Sequence, residues 1–222
     1  MLHPVIKEIS VRTKNEVVKE EKRQSFYNRP YGNLIQDIFK KLFSVHPYQR
    51  SVIGSMTDLD SAKLSEFKDF FKKYYVPNNA VLTIAGDINI DSTKQLVSDY
   101  FSVIPKGEAV VQKHFEESPI TQEIVDTAYD ANIQIPAITA TYRTPGSATH
   151  DSRVLSMISR YLSGGASSKL YKKMVDEKKD ALEVQAFNYA LEDYGAYITL
   201  ALPTNKTPLT ELLSDIDEEI AK

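Results

Sequence analysis

Two apolar runs, Ala181–Ala190 and Gly195–Leu202, stand on either side of the short polar break Leu191-Glu192-Asp193-Tyr194. This pairing constrains the chain more than any other feature. Strands joined by so short a turn pair antiparallel, so the chain is committed to a hairpin and to a sheet containing it. Helical patterns surround it. Thr149 to Leu162 reads as a helix, Gly164-Gly165 as a break, and Ser167 to Glu177 as a second helix capped by serine. Thr207 onward is helical, with Pro208 in its first turn. Upstream, Gln122–Tyr129 and Ile133–Tyr142 read as strands. The latter part of the chain therefore predicts the order β-β-α-α-β-β-α.

The earlier part is mostly helical. Thr13 to Tyr27 reads as a helix whose Thr13 and Glu16 fit a capping box, ending before Pro30. Asn33 to Ser44 carries Leu34, Ile35, Ile38, Leu42 and Phe43 on one face. His46 to Thr57 reads as a loop, Asp60 to Tyr75 as an amphipathic helix, and Asp91 to Val103 as another. Between the last two, Ala80–Ala85 is an apolar run ended by Gly86-Asp87 and predicts a buried strand. Ile104 to Thr121, with Pro105, Gly107 and Pro119, lacks periodicity and is the best linker candidate.

With 222 residues, 42% hydrophobic, the chain can hold one large domain or two small ones. A net charge of −3 gives no basic surface for nucleic acid. Cysteine is absent, which excludes disulfides, thiolate zinc sites and cysteine nucleophiles. No apolar stretch reaches the ~18 residues of a membrane span, and Met1 to Ser10 has no signal-peptide core. The chain opens into a charged helix and closes on a helix without a stop signal, so it reads as a piece of a longer protein.

Chemistry-bearing residues are few. His3, His46, His114 and His150 form no His-x-x-x-His pair and read as surface or loop histidines. Gly164-Gly165-Ala166-Ser167-Ser168 has the wrong lysine spacing for a phosphate loop, and no Gly-x-Ser-x-Gly elbow exists. Lys172-Lys173 and Lys178-Lys179 read as a solvated face. Within the charged helix, Glu21 follows Val17 and Val18 by four and three positions and so shares their side. A carboxylate on an apolar face is costly unless paired or metal-bound, which singles out Glu21.

The segment Glu16-Val17-Val18-Lys19-Glu20-Glu21-Lys22-Arg23-Gln24, followed by Asn28-Arg29-Pro30-Tyr31-Gly32, resembles the third-ligand helix of the pitrilysin/insulinase (M16) family of zinc metallopeptidases. His46-Pro47-Tyr48, Val76-Pro77-Asn78-Asn79-Ala80 and Ala85-Gly86-Asp87 continue the match. Leu162-Ser163-Gly164-Gly165-Ala166-Ser167-Ser168-Lys169-Leu170-Tyr171 is similar to the family's non-catalytic repeat. The resemblance implies an α+β fold of two homologous α/β units in the LuxS/metalloprotease-like manner, each a mostly antiparallel sheet with helices on one face. The first unit is then truncated at its N-terminal side. It places residues 1–106 in the zinc-bearing unit, 107–121 in a linker and 122–222 in the non-catalytic repeat, truncated at its end.

The resemblance implies Zn2+ in the parent protein, with Glu21 as a ligand and with no catalytic residue in this chain. The His-x-x-Glu-His motif is absent from it. Lys14 stands where the family often has an acid. Val175 and Leu182 occupy the positions of the family arginine and tyrosine that hold the substrate backbone. Two readings result. One is a fragment, inactive alone, of a zinc endopeptidase that degrades or processes peptides in a closed chamber, with a related M16 subunit or a homodimer as partner. The other is a non-catalytic scaffold or substrate-binding subunit of an M16-type processing complex. No nucleic acid and no membrane span are expected, and the periplasm is favoured over the cytoplasm.

Overall fold

The structure, a computed structural model, describes residues 4–204 and 206–222. In chain order the elements are α1 (Glu8–Lys22), α2 (Leu34–Leu42), α3 (Met56–Ser61), α4 (Leu64–Tyr74), α5 (Ile90–Phe101), β1 (Ile138–Pro145), α6 (His150–Ser163), β2 (Ala181–Ala190), β3 (Tyr194–Pro203) and α7 (Leu209–Ala221). Widened π-helical turns cover Arg23–Tyr27 and Tyr171–Glu177, and short 3-10 turns cover Pro47–Gln49 and Pro77–Asn79. The architecture is α+β, helices with an antiparallel sheet. The chain divides into two compact units, one of residues 1–25 and 51–116, the other of 26–50 and 117–222.

The second unit is built on the hairpin. β2 and β3 pair antiparallel, with Ala190 opposite Gly195, and β1 adds antiparallel to the other edge of β3, giving the order β1-β3-β2. Successive residues of a strand face opposite sides. Tyr197 and Ala201 therefore face one core with Leu162, Leu170, Met174, Leu212 and Ile216. Ala196 and Ile198 face another, closed by Ile38, Phe39, Leu42 and Phe43 of α2 and the residue after it. Both faces of the central strand are thus covered. Each fully buried Leu, Ile or Met contributes about 1.5–3 kcal/mol. Gly146, between β1 and α6, lets the hairpin turn close in: a Cβ there would lie 2.0 Å from the Glu192 carbonyl oxygen.

The first unit contains α1, α3, α4 and α5 and almost no core: Val11 and Val76 are its buried apolar residues among those described. α1 begins at Glu8, five residues before the predicted start, with Lys7 as its N-cap. The Thr13 hydroxyl donates to the Ile9 carbonyl inside the helix and Glu16 pairs with Lys19, so the predicted capping box does not form. A real one lies where a loop was expected: Asp58 N–H donates to Ser55 Oγ at 3.0 Å and Ser55 N–H to Asp58 Oδ2 at 3.1 Å, opening α3.

Other expectations are also corrected. Residues 80–85 form no strand, and Val81, Leu82 and Ile84 are exposed. An extended run becomes a strand only against a neighbour that takes its N–H and C=O groups, and no described segment does so. Residues 122–129 are likewise outside the sheet, with Ile124, Val125 and Tyr129 exposed. β1 starts at Ile138 rather than Ile133: Pro136 has no N–H to give a ladder, and the Ile135 carbonyl accepts instead from the Tyr31 hydroxyl. The helix expected from Ser167 gains no serine cap. The Ser168 hydroxyl is buried without a partner among the described residues, and the turn opens into the π form from Tyr171.

Candidate functional site

Glu21 sits in the last turn of α1 with its side chain exposed. Its carboxylate makes no hydrogen bond or ion pair among the described residues. Glu21 does not lie on a buried apolar face: Val17 is 54% exposed and Val18 only half-buried. The buried residue of this turn is Lys22, whose ammonium reaches the Gly54 carbonyl. Glu20 is occupied, accepting from Gln24 at 3.0 Å and pairing with Arg23 at 3.1 Å; these two donors hold its carboxyl below the usual range. Lys14 is exposed and Lys19 bridges Glu16 and Asp60. Among the carboxylates of this turn, Glu21 is the one left open to an incoming group.

Val175 lies in the π turn and packs against the core of the second unit. Leu182 is half-exposed at a break in the strand register: Ala181 opposes Pro203 and Glu183 opposes Leu202, so Leu182 has no opposite residue. A bulge of this kind turns a side chain out of the pleat. Just before it, Lys179 holds a left-handed backbone at φ 57°.

The strongest polar cluster was not legible in the sequence. The Glu117 side chain, 1% exposed, accepts the backbone N–H groups of Ser44, Val45 and His46 at 2.9, 2.7 and 2.6 Å, and the Ser44 hydroxyl at 3.0 Å. Arg143 on β1 adds an ion pair at 3.3 Å while donating to the Leu42 carbonyl at 2.9 Å and to that of Ser118. Burial alone would push the Glu117 carboxyl up. The amides of His46, Val45 and Ser44 outweigh it and hold the carboxyl at about 2. His46 lies in a loop, as expected, but is buried. Its ring lies among Phe43, Tyr48 and Tyr194, and Nε2 meets Asp193 Oδ2 at 3.1 Å. His114 and His150 are exposed as expected, and His3 lies outside the described residues. Glu117 lies in the aperiodic stretch 104–121. Its partners are mostly backbone amides far away in sequence, which no local pattern can announce.

A buried pair of acids lies between the residue before β2 and α7. Asp180 and Asp215 are both buried, and Lys178 pairs with Asp215. Neither Asp180 side-chain oxygen has a hydrogen-bond partner among the described residues. Burial, then the neighbouring Asp215, pushes the Asp180 carboxyl up to about 6. For Asp215 burial acts the same way, but Lys178 overrides it and the net direction is down.

A zinc site of the implied type needs three protein ligands and one open position. Among the described residues no group of three or more histidines or acids is gathered. The residues present here do not by themselves fit the ion, and no hydrolytic step follows from them.

The antiparallel sheet with its helices is the fold of solved M16-like peptidases. The family profile of the peptidase M16 inactive domain matches residues 61–222, and the chain belongs to that family. It is 28% identical over 199 residues to the zinc protease PqqE of Helicobacter pylori, covering 88% of this chain and 45% of that protein. It is 28% identical over 86 residues, 39% of this chain and 20% of that protein, to the non-peptidase homolog YmxG of the same bacterium. The structure of a protease from Helicobacter pylori superposes with a TM-score of 0.74 at 25% identity, covering 97% of this chain and 52% of that one. The peptidase M16 inactive domain from Pseudomonas fluorescens shares the fold, with TM-score 0.72 at 15% identity over 99% of this chain and 53% of that one. The chain thus spans about half the length of the relatives it matches. No described helix is long and apolar enough to cross a membrane.

Proposed function

We propose that this chain is part of a zinc-dependent endopeptidase that degrades or processes peptides in a closed chamber, and that it is inactive alone. The observation that carries the reading is the likeness to a protein named a zinc protease over 88% of the chain, with Glu21 inside the charged helix and free to bind. Residues 1–106 belong to the zinc-bearing unit, 107–121 link it, and 122–222 form the non-catalytic repeat, the chain omitting the opening of the first and the close of the second. The two histidine ligands and the general base lie outside this chain. Zinc, once bound, supplies an activated water. What this chain contributes is the Glu21 carboxylate as the third ligand, with Glu20 tied to Gln24 and Arg23 and so held away from the ion.

The test is made on the full-length protein. Glu21→Gln should release zinc and abolish peptide hydrolysis, while Glu20→Gln should leave both nearly unchanged. The reverse pattern shows the ligand to be Glu20. Retention of zinc and activity in both variants overturns the assignment. Cell fractionation should place the full-length protein in the periplasm.

Val175 and Leu182 favour a division of labour between related chains. Neither side chain donates a hydrogen bond to a peptide backbone. A buried unpaired backbone group costs ~1–3 kcal/mol. A related M16 subunit would bring the arginine and tyrosine, and the full-length protein would gain activity on mixing with it. The same observation supports the second reading, a non-catalytic scaffold or substrate-binding subunit, which gains weight from the resemblance to a protein named a non-peptidase homolog. Absence of His-x-x-Glu-His from the full-length sequence decides for it.

A further inference from the structure

Helix α6 is apolar on two sides: Leu155 and Leu162 pack into the core of the second unit, alternating with serines on the same face. Its serines meet the sheet: Ser152 and Ser159 are buried, and Ser163 both donates to the Ala186 carbonyl at 2.9 Å and accepts the Ala186 N–H at 2.7 Å. Asn188 on β2 completes the seam, donating to the Ser152 carbonyl and hydroxyl at 2.9 and 3.1 Å. The other side carries Val154, Met157, Ile158 and Tyr161, exposed by 39, 72, 40 and 66%. Their spacing of i, i+3, i+4, i+7 is that of a helix face built to be buried. Arg153 and Arg160, seven residues apart, follow one edge of this stripe. The Arg160 guanidinium has no partner among the described residues.

We propose that this stripe is a helix-docking surface, and that its occupant is an amphipathic helix with acidic residues along one flank, supplied by the rest of the same full-length polypeptide. The stripe sets the apolar half of the occupant and the two arginines set its charge. Source is decided by size. Four partly exposed side chains on one helix offer a few hundred Å2, whereas a stable complex takes about 800 Å2 from each partner. A segment of the same chain escapes the entropy of bringing two molecules together and docks at high effective concentration. A protein the length of the Helicobacter pylori relative, of which this chain spans 45%, holds as much chain again from which to draw it. The proposal rests on the reading of this chain as part of a longer polypeptide, but not on that polypeptide's being an enzyme.

The chain has no cysteine, which allows a direct test. Met157→Cys is placed in the full-length protein, with any cysteine elsewhere changed to serine, and maleimide labelling is timed in native buffer and in urea. Labelling at least ~100-fold slower in the native protein, unchanged over a hundredfold dilution, is the expected result, and Arg160→Glu should then speed native labelling. Labelling as fast as in urea overturns the proposal, and so does protection that disappears on dilution, which would mean a second copy. A gene that encodes nothing beyond these 222 residues also ends it. No step reads activity, so a protein that cleaves nothing but protects position 157 overturns the enzyme reading and leaves this one standing.

Discussion

The two units of this chain have similar proportions of apolar residues and reach opposite outcomes. In the second unit, residues 26–50 and 117–222 bring helices to both faces of β3 and bury Phe43, Leu170, Met174, Ile198, Leu212 and Ile216 almost completely. In the first, α4 and α5 carry amphipathic patterns, yet Phe70, Leu96, Tyr100 and Phe101 remain exposed, and the apolar run at 80–85 pairs with nothing described. The difference teaches that amphipathicity announces a face to be buried but not the surface that buries it. A sheet gives that surface in the second unit. The described residues of the first unit contain none.

The largest expected effect tests the polar latch of the second unit. Glu117→Ala leaves Arg143 and three backbone amides without their acceptor and should cost about 3–5 kcal/mol, read as a lower urea midpoint. Hydrogen exchange should localise the loss to residues 42–46 and to β1. A loss spread equally over α4 and α5 would break the distinction between the units.

Core truncation sharpens the same contrast. Leu212→Ala should cost about 3 kcal/mol, whereas Leu96→Ala in this chain should change stability by no more than about 0.5 kcal/mol. Repeating Leu96→Ala in the full-length protein tells whether α5 is covered there, since a cost near that of Leu212→Ala means that it is.

Acid acts on two groups of the second unit in opposite senses. Glu117 falls from an ordinary 4.5 to about 2 in the folded state, so its contribution is present above pH 4.5 and lost as pH drops toward 2. Asp180 rises from 3.8 to about 6, so the folded state binds more protons between these values and stability falls as pH rises through that window. Asp180→Asn should therefore raise stability at pH 7 by about 1 kcal/mol, or about 2–4 °C in Tm, and flatten the pH dependence between 4 and 6. A variant less stable than the parent at pH 7 would show that the carboxylate is needed charged. The smallest effect is expected at Lys179, whose φ of 57° suits glycine. Lys179→Gly should be neutral or stabilising by less than about 1 kcal/mol.

The hairpin was legible to within a residue because period-two patterning and a short polar turn act locally. Helices α2, α5, α6 and α7 were legible to within two residues at their ends, because helical periodicity is also local. The strands at 80–85 and 122–129 were misread because β-structure needs a second segment and composition speaks only for the first. The apolar setting expected for Glu21 from its spacing to Val17 and Val18 is absent, because that side of the helix is not covered. The Glu117 latch, buried His46, the Asp180–Asp215 pair and the outward stripe of α6 had no local signal.

By itself the sequence determined the antiparallel hairpin, most helices and the family, since each rests on neighbours close along the chain or on words of sequence held in order. Tertiary structure alone decided which faces are buried, which acid is tied down by distant backbone amides and which carboxyl burial pushes up. Those outcomes depend on desolvation and on donors brought from far along the chain, and these exist only once the chain has folded.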